Sequence, residues 1–195
     1  MTDPLMEEDD ASPPITPEER EGVIPSYITL RAELNEAEQA NIFQAQEWAF
    51  KKKRDILSEK FLTDLHKRMF KDVWKWAGVF RRTGPNIGVD PYRIGMDLHQ
   101  LLGDVQFWID NATYEPDEIA TRFHHRLVQI HPFPNGNGRH SRLATDLLLV
   151  AMNRAAFTWG SANLVDASET RKEYGDALRE ADNHDITRLS KFVRS

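Results

Sequence analysis

Apolar residues recur at the spacing of one helix face along most of the chain from Leu34 onward. Five helices are predicted, at about 34–49, from Ser58 toward Trp76 and Gly78, at about 98–109, at 116–130, and at about 143–150. Ser58 is a typical N-cap residue, and Pro116 suits the first turn of a helix. Two shorter helices are predicted to start near Asp166 and Asp185.

Two stretches interrupt this pattern. Residues 79–94 place Gly84-Pro85, Gly88 and Pro91 between short apolar pieces, which is typical of a small β-hairpin or an irregular loop. Residues 1–26 combine five prolines with many acids, and this spacing predicts a non-helical arm. We therefore expect an arm over 1–26 and one all-α domain over 27–195, with one hairpin-like excursion.

The amino-acid composition argues against several classes of function. The chain has 195 residues, is 40% hydrophobic, and carries a formal net charge of −6, which argues against non-specific nucleic-acid binding. It has no cysteine, which excludes disulfides and thiol catalysis and fits a cytoplasmic setting. The longest apolar run is far too short to span a membrane, and the acidic N-terminus does not resemble a signal peptide.

The segment between the fourth and fifth predicted helices, residues 131–142, carries the chemistry; it reads HPFPNGNGRHSR. Gly136 and Gly138 let backbone amides turn inward at the positive N-terminus of the next helix, which favours an anion. Arg139 and Arg142 are three positions apart and share a helix face. Two guanidiniums beside exposed amides suit a polyphosphate better than a single carboxylate.

His131 lies at the start of this segment, where an imidazole can accept a proton from a hydroxyl near neutral pH. Together these groups are what phosphoryl or nucleotidyl transfer requires. A zinc site using His124, His125, His131 and His140 is the less favoured alternative. Adjacent histidines point in different directions, and the sequence contains no HExxH motif. We expect one histidine of the adjacent pair to pack behind the segment and the other to face solvent.

The segment resembles the signature of the Fic family, His-Pro-Phe-x-(Asp/Glu)-Gly-Asn-Gly-Arg-x-x-Arg, and matches eight of its nine fixed positions. The resemblance covers residues of about 34–193, and within the family the chain looks most like the mobile mystery protein B subgroup. It implies a Fic-like helical domain with a small β-hairpin flap. It also implies an enzyme that transfers AMP from ATP, with Mg²⁺, to a Ser, Thr or Tyr hydroxyl of a target protein.

The resemblance implies a role for each matching residue. His131 would be the general base, and Phe133 would anchor the loop in the core. The flap, from about Phe80 to Tyr92, would dock the target segment as an added strand, with Ile87 and Val89 clamping a side chain. The donor's phosphates would be held by the remaining motif residues, which are Gly136, Asn137, Gly138, Arg139 and Arg142.

Asn135 departs from the signature, because efficient AMP-transferring members usually carry Asp or Glu there to hold Mg²⁺. An amide oxygen is an uncharged and weaker ligand, and Asn135 could instead be a turn residue in a left-handed conformation. Many members also carry an inhibitory helix of the form (Ser/Thr)-x-x-x-Glu-(Gly/Asn). The run from Thr29 to Leu34 fits it in part, which makes Glu33 the inhibitory candidate, with Glu36 and Glu38 nearby.

Two alternatives stay open. The same fold could transfer another phosphate-containing group, because the amides recognise phosphates rather than a base. The chain could also be a weakly catalytic nucleotide-binding regulator, with a small antitoxin-like partner protein. Neither nucleic acid nor a membrane is expected as a partner.

Overall fold

The computed structural model describes residues 17–84, 88–161 and 167–195. Its described regular structure is helical, apart from one isolated bridge between Val23 and Trp74. The helices are α1 (Pro17–Gly22), α2 (Arg31–Phe50), α3 (Glu59–Phe70), α4 (Ile94–Asp110), α5 (Pro116–Ile130), α6 (Asn137–Ala151), α7 (Ala167–Asp182) and α8 (Thr187–Phe192). The expectation of a helical domain is confirmed. Within the described ranges, no helix combines the length and apolarity needed to cross a membrane.

Local signals place several helix ends where the sequence predicts them. The Ser58 hydroxyl accepts a hydrogen bond from the Phe61 backbone N–H at 3.2 Å, so it caps α3, and Pro116 begins α5. Helix α3 ends at Phe70, however, and does not continue to Gly78 as predicted. The chain turns after Phe70, because the N–H groups of Val73 and Trp74 both donate to the Phe70 carbonyl.

The N-terminal stretch is more ordered than its prolines indicate. Residues Pro17–Gly22 form the short helix α1, so the expectation of a non-helical arm is wrong for this part. Pro17 occupies the first helical position, where a missing N–H costs nothing. Val23 is buried, and the Lys75 N–H donates to the Gly22 carbonyl at 2.9 Å, which joins this stretch to the core. The division at residue 26 stays a prediction, and residues 1–16 lie outside the described ranges.

The core places the α5–α6 junction at the centre of the domain. A large cluster of buried apolar side chains comes from α2 to α6, and a smaller one from α7, α8 and the loop with Phe157 and Trp159. Helix α5 packs against α4, α6 and α8. The chemistry-bearing segment therefore connects the two most enclosed helices.

The excursion over residues 79–94 contains no strand in its described parts, 79–84 and 88–94. Residues Pro91–Arg93 form a single 3₁₀ turn that leads directly into α4. Ile87, one of the two predicted clamp residues, lies outside the described residues.

Candidate active site

His131 terminates α5 and starts the chemistry-bearing loop. It is the C-cap residue, with φ 53° and ψ 60°, a left-handed conformation that non-glycine residues adopt rarely. Its backbone N–H donates to the Leu127 carbonyl at 3.3 Å. This conformation turns the chain sharply out of the helix, and His131 lines the cleft described below.

The loop is clamped from inside by Asn137 and Phe133. Phe133 is fully buried, which agrees with the anchoring role that the resemblance implies. Its N–H donates to Asn137 Oδ1 at 2.9 Å, and its carbonyl accepts from Asn137 Nδ2 at 2.8 Å. The side chain of Asn137 is thus hydrogen-bonded within the loop, and its backbone amide lies at the start of α6.

His66, which the sequence analysis did not identify, supports the same loop from α3. Its ring is buried and stacks on Phe133, with a centroid distance of 3.7 Å. Nδ1 accepts from the Gly78 N–H at 2.9 Å, so Nε2 carries the proton and donates to the Asn135 carbonyl at 3.1 Å. Burial first, and then the nearby His140, hold the pKa of His66 well below its usual value. A neutral imidazole therefore joins the turn at Gly78 to the loop.

The N-terminus of α6 has the backbone geometry that the sequence predicts for an anion site. Gly136 is its N-cap with φ 77°, and an added Cβ would lie 2.5 Å from the Phe70 ring. The first helix-closing bond runs from the His140 N–H to the Gly136 carbonyl at 2.9 Å. The amides of Asn137, Gly138 and Arg139 precede that bond and have no partner within the helix. An added Cβ at Gly138 would meet nothing within 4 Å, so this position faces open space.

A cleft of about 540 Å³ lies beside this helix end. It brings together His131, residues 135–139 and Arg142, which are the predicted base, metal position and phosphate-binding residues. Val89 and Glu33 do not line it. The rest of its described lining comes mainly from α2, together with Trp74, Pro134 and Arg171.

The cleft is strongly cationic. Four arginines line it, and they are Arg31, Arg139, Arg142 and Arg171. Glu38 is the only carboxylate among its described lining residues. Arg31 and Arg171 were not identified from the sequence, because they come from α2 and α7 and no local motif marks them.

Glu38 and Glu33 have different surroundings. Glu38 is buried, pairs with Arg139, and accepts a hydrogen bond from Trp74 Nε1 at 2.5 Å. The Glu33 carboxylate instead accepts from the backbone N–H groups of Thr29, at 2.7 Å, and Leu30, at 3.0 Å. Glu33 therefore caps its own helix, and Glu38 is the α2 acid that contacts a motif arginine.

Arg81 attaches the 79–94 excursion to the α5–α6 junction. Its Nε donates to the His131 carbonyl at 2.6 Å, and its Nη2 donates to the carbonyls of Val89 and Ile130. Gly88 lies so close that an added Cβ would approach the His131 Cβ to 2.7 Å. The excursion is thus held directly against the candidate base.

The electrostatics favour a neutral His131. Burial, and then the Arg81 cation, lower its pKa, while a hydrogen bond to the Val128 backbone opposes the shift. An imidazole with a lowered pKa is unprotonated at neutral pH and can accept a proton.

The adjacent pair His124 and His125 is buried as a whole, so the expectation that one of them faces solvent is wrong. A hydrogen bond of 2.8 Å joins His124 Nε2 to the Tyr174 hydroxyl, and His125 Nε2 donates to Asp182 at 2.8 Å. Over the ranges that the structure describes, no three His, Cys, Asp or Glu residues are grouped to hold a metal. Burial and the Arg142 cation lower the pKa of His124 to about 3.

The donor set fits Mg²⁺ poorly. Asn135 is not left-handed, and its Oδ1 accepts a hydrogen bond from the Gly136 N–H at 2.6 Å. Glu38 is already paired with Arg139. Mg²⁺ is usually held by one or two carboxylates together with substrate phosphates. Glu38 is the one carboxylate among the described lining residues, and the amide oxygens of Asn135 and Asn137 each already accept a hydrogen bond.

The chain is similar to a known family over the segment that carries this site. The sequence model of the Fic/DOC family matches residues 56–149. A curated relative from Aedes aegypti, "Protein adenylyltransferase Fic", is 30% identical over 145 residues, which cover 72% of this chain and 28% of that protein. The chain thus spans less than a third of the length of the curated relatives it matches first.

Solved structures share the fold. Fic-1 (aa134–508) from C. elegans has a TM-score of 0.66 at 23% identity, over 88% of this chain and 50% of that one. BepC from Bartonella tribocorum, solved with bound AMPPNP, has a TM-score of 0.66 at 16% identity, over 92% and 97%. At these identities the likeness shows the fold alone.

Proposed function

Since the chain carries a Fic/DOC family domain over residues 56–149, we propose that it transfers AMP from ATP to a Ser, Thr or Tyr hydroxyl of a target protein. The observation that carries this proposal is one cleft lined by His131, the first turn of α6, and Arg139 and Arg142. The curated relatives named as adenylyltransferases and the BepC structure with AMPPNP support ATP as the donor.

The chemistry follows from the positions of these groups. The amides of Asn137, Gly138 and Arg139 meet the donor's phosphates at the positive end of α6, and the two motif arginines balance their charge. His131 accepts the proton of the target hydroxyl as its oxygen attacks the α-phosphorus. The bond from that phosphorus to the bridging oxygen breaks, and pyrophosphate leaves with the bonding electron pair.

The 79–94 excursion is the proposed flap. We assign target docking to Ile87 and Val89, with the target backbone adding a strand to a small hairpin. The contacts of Arg81 and Gly88 with the His131 region support this, because a segment docked there would lie next to the base.

In this proposal Mg²⁺ would bind together with the donor's phosphates. Asn135 would be its protein ligand among the described lining residues, uncharged and therefore weak. A cytoplasmic setting, expected from the cysteine-free sequence, and the mobile mystery protein B subgroup likewise stay predictions.

A second candidate function is a weakly catalytic nucleotide-binding regulator, with an antitoxin-like partner. Asn135 at the metal position and the pairing of Glu38 with Arg139 both favour low turnover. Transfer of another phosphate-containing group also remains compatible with a site that contacts phosphates.

Intact-mass analysis after incubation with several nucleotide donors tests these functions. Transfer from ATP predicts a mass gain of one AMP on the chain or on a target, abolished in His131→Ala. His99→Ala, on the exposed face of α4, is the matched control and retains the gain. A gain of another mass identifies a different donor. Tight binding without any gain, even in Asn135→Asp, supports the regulator and refutes transfer.

A further inference from the structure

The positively charged side chains of the cleft come from three helices. Arg139 and Arg142 belong to α6, whereas Arg31 begins α2 and Arg171 lies on α7. Among the described lining residues there are four guanidiniums and one carboxylate, in a chain whose formal net charge is −6. A local excess of this sign, opposite to that of the whole molecule, marks a site built for a polyanion.

Arg171 differs from the neighbouring arginines. Arg179, two turns further along α7, pairs with Asp176, and Arg188 on α8 pairs with Glu173. Among the described residues no carboxylate pairs with Arg171, which instead lines the cleft.

Arg31 and Glu38 lie seven positions apart on α2, so both reach the cleft from the same helix face. Glu38 neutralises Arg139. A donor that displaces this carboxylate gains a guanidinium on α6, in the same cleft that Arg31 lines.

Building on the proposed function, we propose that Arg31 and Arg171 bind the donor's polyphosphate. We also propose that the four guanidiniums supply the counter-charge a metal ion would otherwise provide, so that the donor binds without Mg²⁺. Guanidinium is permanently charged and forms paired hydrogen bonds with phosphate oxygens. The poor fit of the described lining to Mg²⁺ is the second observation behind this inference, because Asn135 offers no charge and Glu38 is already paired.

Calorimetric titration of ATP, with Mg²⁺ or with EDTA, tests the inference without requiring turnover. The wild-type Kd is expected to differ less than about threefold between the two conditions. Arg171→Ala and Arg31→Ala should each weaken binding about tenfold or more in both conditions, since each loses a charge-assisted hydrogen bond. Arg171→Lys should weaken ATP binding less than Arg171→Ala does. Lys172→Ala, which removes a charge from the exposed neighbour of Arg171, should bind as wild type.

Asn135→Asp provides the contrast, because a carboxylate at this position should make Mg²⁺ strengthen ATP binding. Inorganic tripolyphosphate should compete with ATP in EDTA, because the contacts are with phosphates.

Wild-type binding that requires Mg²⁺ would overturn the inference, whereas a mass gain of one AMP would still support the proposed function. Unchanged affinity in both arginine variants would also overturn it. If wild type binds no ATP in either condition, Glu38→Gln is titrated next. Failure of that variant as well refutes the inference together with ATP as the donor.

Discussion

The Glu38 carboxylate on α2 pairs with the Arg139 guanidinium on α6, across 101 positions of the chain. Trp74 holds the same carboxylate through its indole N–H, and Glu38 is buried. An arginine proposed to bind phosphates is therefore occupied by an internal anion before any donor arrives. This places an acid of α2 in competition with the nucleotide.

Glu38→Gln is expected to strengthen ATP binding and to raise self-modification, because Arg139 is then available to the phosphates. The gain should be about tenfold, the scale of one charge-assisted hydrogen bond. Loss of the pair should lower the free energy of unfolding by about 1–2 kcal/mol, since Arg139 is partly solvated. Titration calorimetry, intact mass and urea unfolding measure the three effects.

Glu33, the inhibitory candidate indicated by the sequence, provides the comparison for Glu38. Its carboxylate caps α2, so Glu33→Gly should destabilise the helix start without strengthening nucleotide binding. If Glu33→Gly strengthens nucleotide binding and Glu38→Gln does not, Glu33 is the inhibitory residue.

Alanine at Gly136 is predicted to lower stability, whereas alanine at Gly138 is predicted to weaken ATP binding. Gly136→Ala forces a left-handed alanine and drives a methyl group into Phe70, at a cost of about 2–4 kcal/mol in unfolding free energy. Gly138→Ala should leave stability nearly unchanged, because its Cβ meets open space, yet it should weaken ATP binding by blocking the amides. Urea unfolding and ATP titration of both variants separate the two roles. Equal stability of the two variants would contradict this geometry.

Asn135→Asp should preserve or raise transfer. The aspartate can still accept the hydrogen bond from the Gly136 N–H, so the loop keeps its shape, and the added charge improves binding of Mg²⁺. Initial rates of AMP incorporation at several Mg²⁺ concentrations measure the change. Asn183→Asp, at a surface amide after α7, is the control. A clear loss of activity in Asn135→Asp alone would argue against this position as the metal site.

The sequence predicts the parts of the site that are contiguous. His131, the two glycines and the arginines of α6 lie within twelve residues, so helix ends and glycine positions reveal their chemistry without knowledge of packing. Helix α5 is equally predictable, because Pro116 starts it and its apolar residues keep one period.

The remaining site residues depend on packing between distant elements. His66 reaches the Asn135 carbonyl over 69 positions, and Arg81 reaches that of His131 over 50. A histidine on the core face of a helix and an arginine in a loop each look structural in isolation. Their function follows only from the carbonyls they meet, which periodicity does not encode.

Stability is predicted to fall steeply as the pH drops below about 6.5, because three buried histidines must stay neutral. Burial lowers the pKa of His140 to about 4 and that of His124 to about 3, and holds that of His66 well below its usual value. Each of these histidines takes up a proton on unfolding in this window, so its contribution is complete above about pH 6.5 and is lost as the pH falls. Asp146 acts in the opposite direction below pH 6, since burial raises its pKa to about 6.

Asp146 therefore holds a proton in the folded state that it releases on unfolding. In the opposite direction, the three buried histidines bind up to three protons in the unfolded state that they lack in the folded state. Each proton taken up on unfolding lowers the free energy of unfolding by about 1.4 kcal/mol per pH unit as the pH falls. Urea unfolding at half-unit pH intervals measures this slope. His140→Gln should reduce this slope by the contribution of about one proton, and Asp146→Asn should increase it by about the same amount. Parallel curves for all of these variants would mean that the buried histidines are not the source of the acid sensitivity.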